Sequence, residues 1–146
     1  MLLDQLNTFA EAVATGSTGT RILGDVIDLG TVSRDIAAGH PIYVEVTVET
    51  AIAAGTNGTY QIVVTHADNA ALSSGNVNVL TSASFDAASG VPAGTVLLRA
   101  ALPSLDYKRY IGVQEVVGTA NTSAGAVNAH LTFDLISHKS YAEADK

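Results

Sequence analysis

The sequence predicts an all-β domain, an antiparallel sandwich or barrel, and three observations predict it. Apolar and polar residues alternate with period two along several stretches, the pattern of strands buried on one face only. Clusters of Gly, Pro, Ser and Asn punctuate those stretches at short intervals. No convincing helical period intervenes, and seven or eight short strands without helices read as a sandwich or barrel.

The elements follow in chain order. Leu2, Leu6, Phe9 and Val13 have helical spacing, but Thr15-Gly-Ser-Thr-Gly-Thr20 ends any helix quickly. Residues 1–20 are therefore expected as an N-terminal arm or short helix, and residues 21–146 as the β domain. Asp25–Leu29 is a short strand candidate. In Pro41-Ile-Tyr-Val-Glu-Val-Thr-Val-Glu49, Ile42, Val44, Val46 and Val48 share one face, with Tyr43, Glu45, Thr47 and Glu49 on the other. After the turn Gly55-Thr-Asn-Gly58, Tyr60, Ile62 and Val64 alternate with Gln61 and Thr65. Val77–Thr81 is a second short candidate. Val96, Leu98, Ala100 and Leu102 alternate with Thr95 and Arg99. A mixed strand sets Tyr107, Arg109, Ile111, Val113, Glu115 and Val117 opposite Lys108, Tyr110 and Gln114. Finally Val127, Ala129, Leu131, Phe133 and Leu135 alternate with Asn128, His130, Thr132 and Asp134. Turns are expected at 38–41, 73–75, 89–92 and 121–125. About twenty inward positions, at roughly 1.5–3 kcal/mol for each buried Val or Leu, supply a competent core.

Composition narrows the function. Hydrophobic residues make up 47% and charged ones 14%, which excludes a disordered chain. Seven basic against fourteen acidic residues give a formal charge of −7, and the cations are scattered from Arg21 to Lys146. That field repels nucleic acid, so none is expected as a partner. The absence of cysteine removes disulfides and thiolate zinc sites. The opening Met-Leu-Leu-Asp-Gln-Leu places an acid where a signal peptide needs basic residues, and no apolar run approaches the ~20 residues that span a bilayer. The expectation is synthesis in a cytoplasm, with no membrane partner.

A search for chemistry assigns no catalytic, cofactor-binding or metal residue. His40, His66, His130 and His138 form no HxH or HExxH spacing. His130, on the polar face of its strand, is expected in a surface or hydrogen-bonding role. Gly16-Ser-Thr-Gly-Thr-Arg21 lacks the Lys-Ser/Thr end of a phosphate loop and reads as a hinge. Asp25 with Asp28, and Asp68 with Asn69, lack the spaced oxygens of a calcium loop. Glu45 and Glu49 share a face, but the aromatic residues on which sugars stack are scarce. Arg34-Asp35 and Lys108-Arg109 suit solvated or interface charges.

The segments Val26-Ile-Asp-Leu-Gly30 and Arg34 through Val48 resemble the cement proteins of Bordetella-phage type found on tailed-phage capsids. Ala67-Asp-Asn-Ala-Ala-Leu-Ser-Ser74, Leu102 through Ile111, Asn121–Gly125 and Ala129–Asp134 are similar in turn, in order and in spacing. The resemblance implies a jelly-roll domain forming homo-oligomers, a dimer favoured over a trimer, on the outside of an icosahedral virion head. It implies the major capsid protein as partner, and neither catalysis nor cofactor. Contact candidates are Leu2, Leu3, Leu6 and Phe9 in the arm, and His138, Lys139 and Tyr141 in the tail. The arm could equally pack on its own domain, and the tail could be solvated. Rival readings are a carbohydrate-binding or adhesin-like sandwich using Tyr107 or Tyr110, a cupin-type enzyme with convergent histidines, and a phage tail structural protein.

Overall fold

The period-two pattern at 42–48 is realised in full: Val44, Val46 and Val48 are buried at 0–2% exposure while Tyr43, Glu45 and Thr47 lie outward and half-buried. The computed structural model describes residues 5–31 and 35–133. After a single 3-10 turn at Gln5–Asn7 come β1 (Thr8–Ala14), β2 (Gly19–Asp28), β3 (Tyr43–Ala54) and β4 (Thr59–Ala67). There follow β5 (Val77–Thr81), β6 (Phe85–Asp86), β7 (Val96–Ala101), β8 (Tyr110–Gly118) and β9 (Thr122–Thr132). Every pairing is antiparallel.

Two sheets result. One has the order β1-β9-β3-β7, the other β2-β8-β4-β5, with the short β6 also on β4. First strands beside last ones, and a chain that crosses between the sheets at every connection except those joining β4, β5 and β6, give a jelly-roll-like winding. The core lies between the sheets, where Phe9, Leu23, Ile52, Tyr60, Ile62 and Ile111 are at 0–1% exposure.

The N-terminal segment departs from expectation. Residues 8–14 are neither helix nor free arm but edge strand β1, paired from Thr8↔His130 to Ala14↔Ala126. Phe9 and Ala10, 1% and 3% exposed, join the core, and that burial outweighs weak helical spacing. The hinge shrinks to residues 15–18, and β2 begins at Gly19, well before the expected Asp25. Strand β9 runs through the expected turn at 121–125, starting at Thr122.

Among the described residues one carboxylate sits inside. Glu115 shares the inward face of β8 with Ile111, Val113 and Val117 and is 0% exposed. Arg21 of β2, directly opposite in register, donates from Nε to Oε1 at 2.7 Å, and the Tyr60 hydroxyl donates to Oε2 at 2.9 Å. The same guanidinium donates to the Ala14 carbonyl at 2.6 Å, so one side chain ties the end of β1 to the facing sheet. Burial, first, and the Glu115 charge, second, hold the Tyr60 hydroxyl well above its ordinary pKa.

On the outward face of the second sheet, Gly112 lies between Val26 and Thr65 in register. A Cβ there would stand 2.7 Å from Leu72 Cδ1 and 3.1 Å from Val26 Cγ2. The missing side chain lets Leu72, 2% exposed, close over the sheet and pin the 68–76 connection.

Candidate interaction surface

The winding gathers unlike sequences at the two ends of the sandwich. The connections 15–18, 55–58, 87–95 and 119–121 meet at one end and contain no charged residue. Residues 29–31 and 35–42 and the connections 68–76 and 102–109 meet at the other, together with the start of β1 and the end of β9. Asp35, Asp68, Asp106, Lys108 and Arg109 all belong to this second pole.

A cavity of about 260 Å³ opens there, lined by Gly30, Thr31, Asp68, Tyr107, Lys108 and Arg109. Lys108 Nζ meets Asp68 Oδ2 at 2.8 Å. Arg109 forks onto Asp28, Nε to Oδ1 at 3.0 Å and Nη2 to Oδ2 at 2.8 Å, and its guanidinium lies 5.0 Å from the Tyr110 ring centre. That hydrogen bond, with one from the Gly30 N–H, holds the Asp28 carboxyl below its usual pKa and Arg109 above its own.

The wall is braced from behind. The Lys108 N–H donates to His66 Nδ1 at 2.9 Å, which leaves the ring proton on Nε2. His66 meets Tyr107 edge-on at 5.4 Å between centroids, and the Tyr107 hydroxyl donates to the Pro103 carbonyl at 2.6 Å. Burial, ahead of the Lys108 charge, lowers the His66 pKa; burial likewise pushes Tyr107 up to about 12. Two cations face two carboxylates, so the rim is close to charge-neutral. Ser104 and Asp35 add a further hydroxyl–carboxylate contact at this pole.

The same pole carries an apolar corner on the other sheet. The Thr8↔His130 register sets residues 5–7 alongside 131–133, and Leu6 and Phe133 are 78% and 67% exposed. Large exposed apolar side chains carry more information than exposed polar ones. Of the sequence candidates, Leu6 is here, whereas Phe9 is buried and serves the core. Leu2, Leu3, His138, Lys139 and Tyr141 lie outside the described residues. Phe133 was expected inward by alternation, yet β9 ends at Thr132 and the facing strands stop with it.

The family model Bbp16 matches residues 9–131, the span from β1 into β9. The chain belongs to the Bbp16 family. No curated protein matches it.

In this Bbp16-family chain the histidines on described strands do not converge: His66 is on β4 in one sheet and His130 on β9 in the other. Among the described residues no group of three or more His, Asp or Glu could hold a metal ion. Glu45 is paired with Arg99 at 2.8 Å, and Glu49 accepts from Asn128 Nδ2 at 2.7 Å. Asp68–Asn69 is the expected turn, with Asn69 Oδ1 accepting the Ser73 and Ser74 N–H groups. His130 lies outward as expected but is only 6% exposed, and its Nε2 has no hydrogen-bond partner.

Proposed function

We propose that this Bbp16-family chain is a non-enzymatic capsid cement protein, bound to the outside of a phage head and bridging major capsid protein subunits. The observation that carries the reading is the family match across residues 9–131, because the family's name suggests a Bordetella phage protein. Segments on β2, β3, β4, β8 and β9 and their connections resemble Bordetella-phage cement proteins independently of that match. The jelly-roll winding and a pole that carries both exposed apolar side chains and neutralised ion pairs support it further. An apolar centre with a polar rim is ordinary interface anatomy.

Cementing is differential binding: a protein that binds the assembled shell better than free subunits stabilises the shell in proportion to occupancy. A stable contact buries about 800 Å² per partner, and a homo-oligomer touching several subunits gains effective concentration at each further contact. Sedimentation with mature shells tests the reading. Co-sedimentation with shells but not with free coat subunits is the expected result; purified protein left in the supernatant at saturating shell concentrations overturns it. The carbohydrate-binding alternative loses one of its two platform residues, since Tyr107 is 0% exposed.

A further inference from the structure

His130 stands in a row that crosses a whole sheet. Its register partners are Thr8 on β1 and Glu45 on β3, and Glu45 in turn faces Arg99 on β7. The ring is 6% exposed and its Nε2 is buried without a hydrogen-bond partner. An unsatisfied buried polar atom is already a local cost, and a protonated ring would add a charge and a second donor to it.

The groups that could answer that charge are few among the described residues. Strand β1 offers the Thr8 hydroxyl at this register; its one carboxylate, Glu11, is exposed and lies three residues further along, within the second register irregularity. Strand β3 offers Glu45, whose carboxylate is held by Arg99 at 2.8 Å. Glu49, further along β3, is engaged by Asn128. Strand β7 brings Arg99, a like charge. Arg99 holds Oε1 of Glu45, so a proton on His130 adds a second, buried cation to a row with a single carboxylate. Burial lowers the ring's proton affinity and Glu45 restores part of it, in that order of size.

Something in the row must yield, and the weakest seam is on one side. Strand β3 is flanked by β9 and β7 and pairs with β9 from Tyr43↔Thr132 to Ala54↔Thr122. Strand β1 is an edge, with two irregularities in its register, the first immediately beside Thr8↔His130. We propose that His130 is an acid-sensitive catch on β1: protonation of its ring loosens the β1–β9 seam and releases the start of β1, with the exposed corner at Leu6, while the rest of the sandwich stays paired. Such partial opening at an edge is the ordinary low-stability end of a native fold. The inference stands on the row itself and does not depend on the cement role.

Amide hydrogen exchange of the full chain between pH 7.5 and 5.5, corrected for intrinsic exchange rates, tests it. Protection of residues 8–12 is expected to fall relative to β3, by up to about tenfold per pH unit below the midpoint, the limit for one proton. His130→Gln should make β1 protection independent of pH, and His66→Gln should keep the fall. Constant β1 protection in the unsubstituted chain overturns the proposal, as does an unchanged fall in His130→Gln or its loss in His66→Gln. Should His130→Gln fail to fold, the ring resonances of the unsubstituted chain decide. A His130 midpoint at or above the ordinary 6.5 refutes the catch, and one below it, moving with β1 exchange, supports it.

Discussion

Replacing Arg21 by Met strips the buried carboxylate of Glu115 of its cation while keeping a long apolar stem. Glu115 is 0% exposed and Arg21 side-chain exposure is 47%, so the cost is that of a buried anion losing a half-exposed partner. Removing one partner of a fully buried pair costs about 3–5 kcal/mol; solvent reaching Arg21 argues for the lower end, about 3 kcal/mol. The Ala14 carbonyl also loses its donor. At 146 residues, about 3 kcal/mol corresponds to a fall in Tm of roughly 6–12 °C. Urea unfolding and a thermal melt at fixed protein concentration measure it. The double substitution Arg21→Met with Glu115→Leu should recover part of the loss, because the uncompensated charge goes with it while the buried Tyr60 hydroxyl loses its acceptor. A single Arg21→Met change within 0.5 kcal/mol of the unsubstituted chain would refute the reasoning, since the carboxylate would then be satisfied without the cation.

Phe9→Ala should cost about 3–5 kcal/mol in denaturant unfolding, as for any large core side chain, whereas Leu6→Ala should stay within about 0.5 kcal/mol. If both are neutral, β1 is not part of the core. Gly112→Ala should cost about 1–3 kcal/mol by pressing on Leu72 and Val26, measured as a shift in the urea midpoint at constant slope. Stability should decline as pH falls below about 6.5. Both His66 and His130 are held under that value, so the unfolded chain takes up protons first, and the contribution is whole above about 6.5. Urea midpoints between pH 7.5 and 5 check the slope; a rise on acidification through this window would contradict it. Under the cement reading, Leu6→Ser with Phe133→Ser should weaken shell binding several-fold in the sedimentation assay without moving Tm.

The inward face of a strand was legible wherever β-branched residues alternate, as along β3 and at Tyr60, Ile62 and Val64 of β4. Strand β1 was not, because Thr-Phe-Ala-Glu-Ala-Val-Ala has the composition of a helix. Its structure is decided by Phe9 entering a core made elsewhere in the chain, with Gly24 at φ +65° letting the Phe9 backbone approach β2. Long-range pairing of this kind leaves little local trace. Glu115 was visible on an apolar face, but its partners Arg21 and Tyr60 are 94 and 55 residues away. The candidate surface was half legible: Leu6 by its apolarity, Lys108–Arg109 by their charge. Asp28, Asp68 and Phe133 join them only through the winding.

The edges explain why contacts with other chains should use side chains at one pole. Four outer strands carry a register irregularity: β1 at two places, β2 between Ile22 and Val26, β7 beside Val46 and Thr47 of its partner, β5 opposite Val64 and Thr65; the fifth, β6, is only two residues long. Bulges disrupt the row of free N–H and C=O groups that an added strand would pair with, and they twist the edge away. A −7 chain built mainly of strands thereby presents poor templates for edge-to-edge growth at β1, β2, β5 and β7. Main-chain adhesion is suppressed where it would be indiscriminate, and large apolar groups such as Leu6 and Phe133 are exposed at the pole that carries preorganised ion pairs. For a protein proposed to recognise an assembled shell rather than its own copies at random, geometry at that pole can select a partner where a bare strand edge cannot.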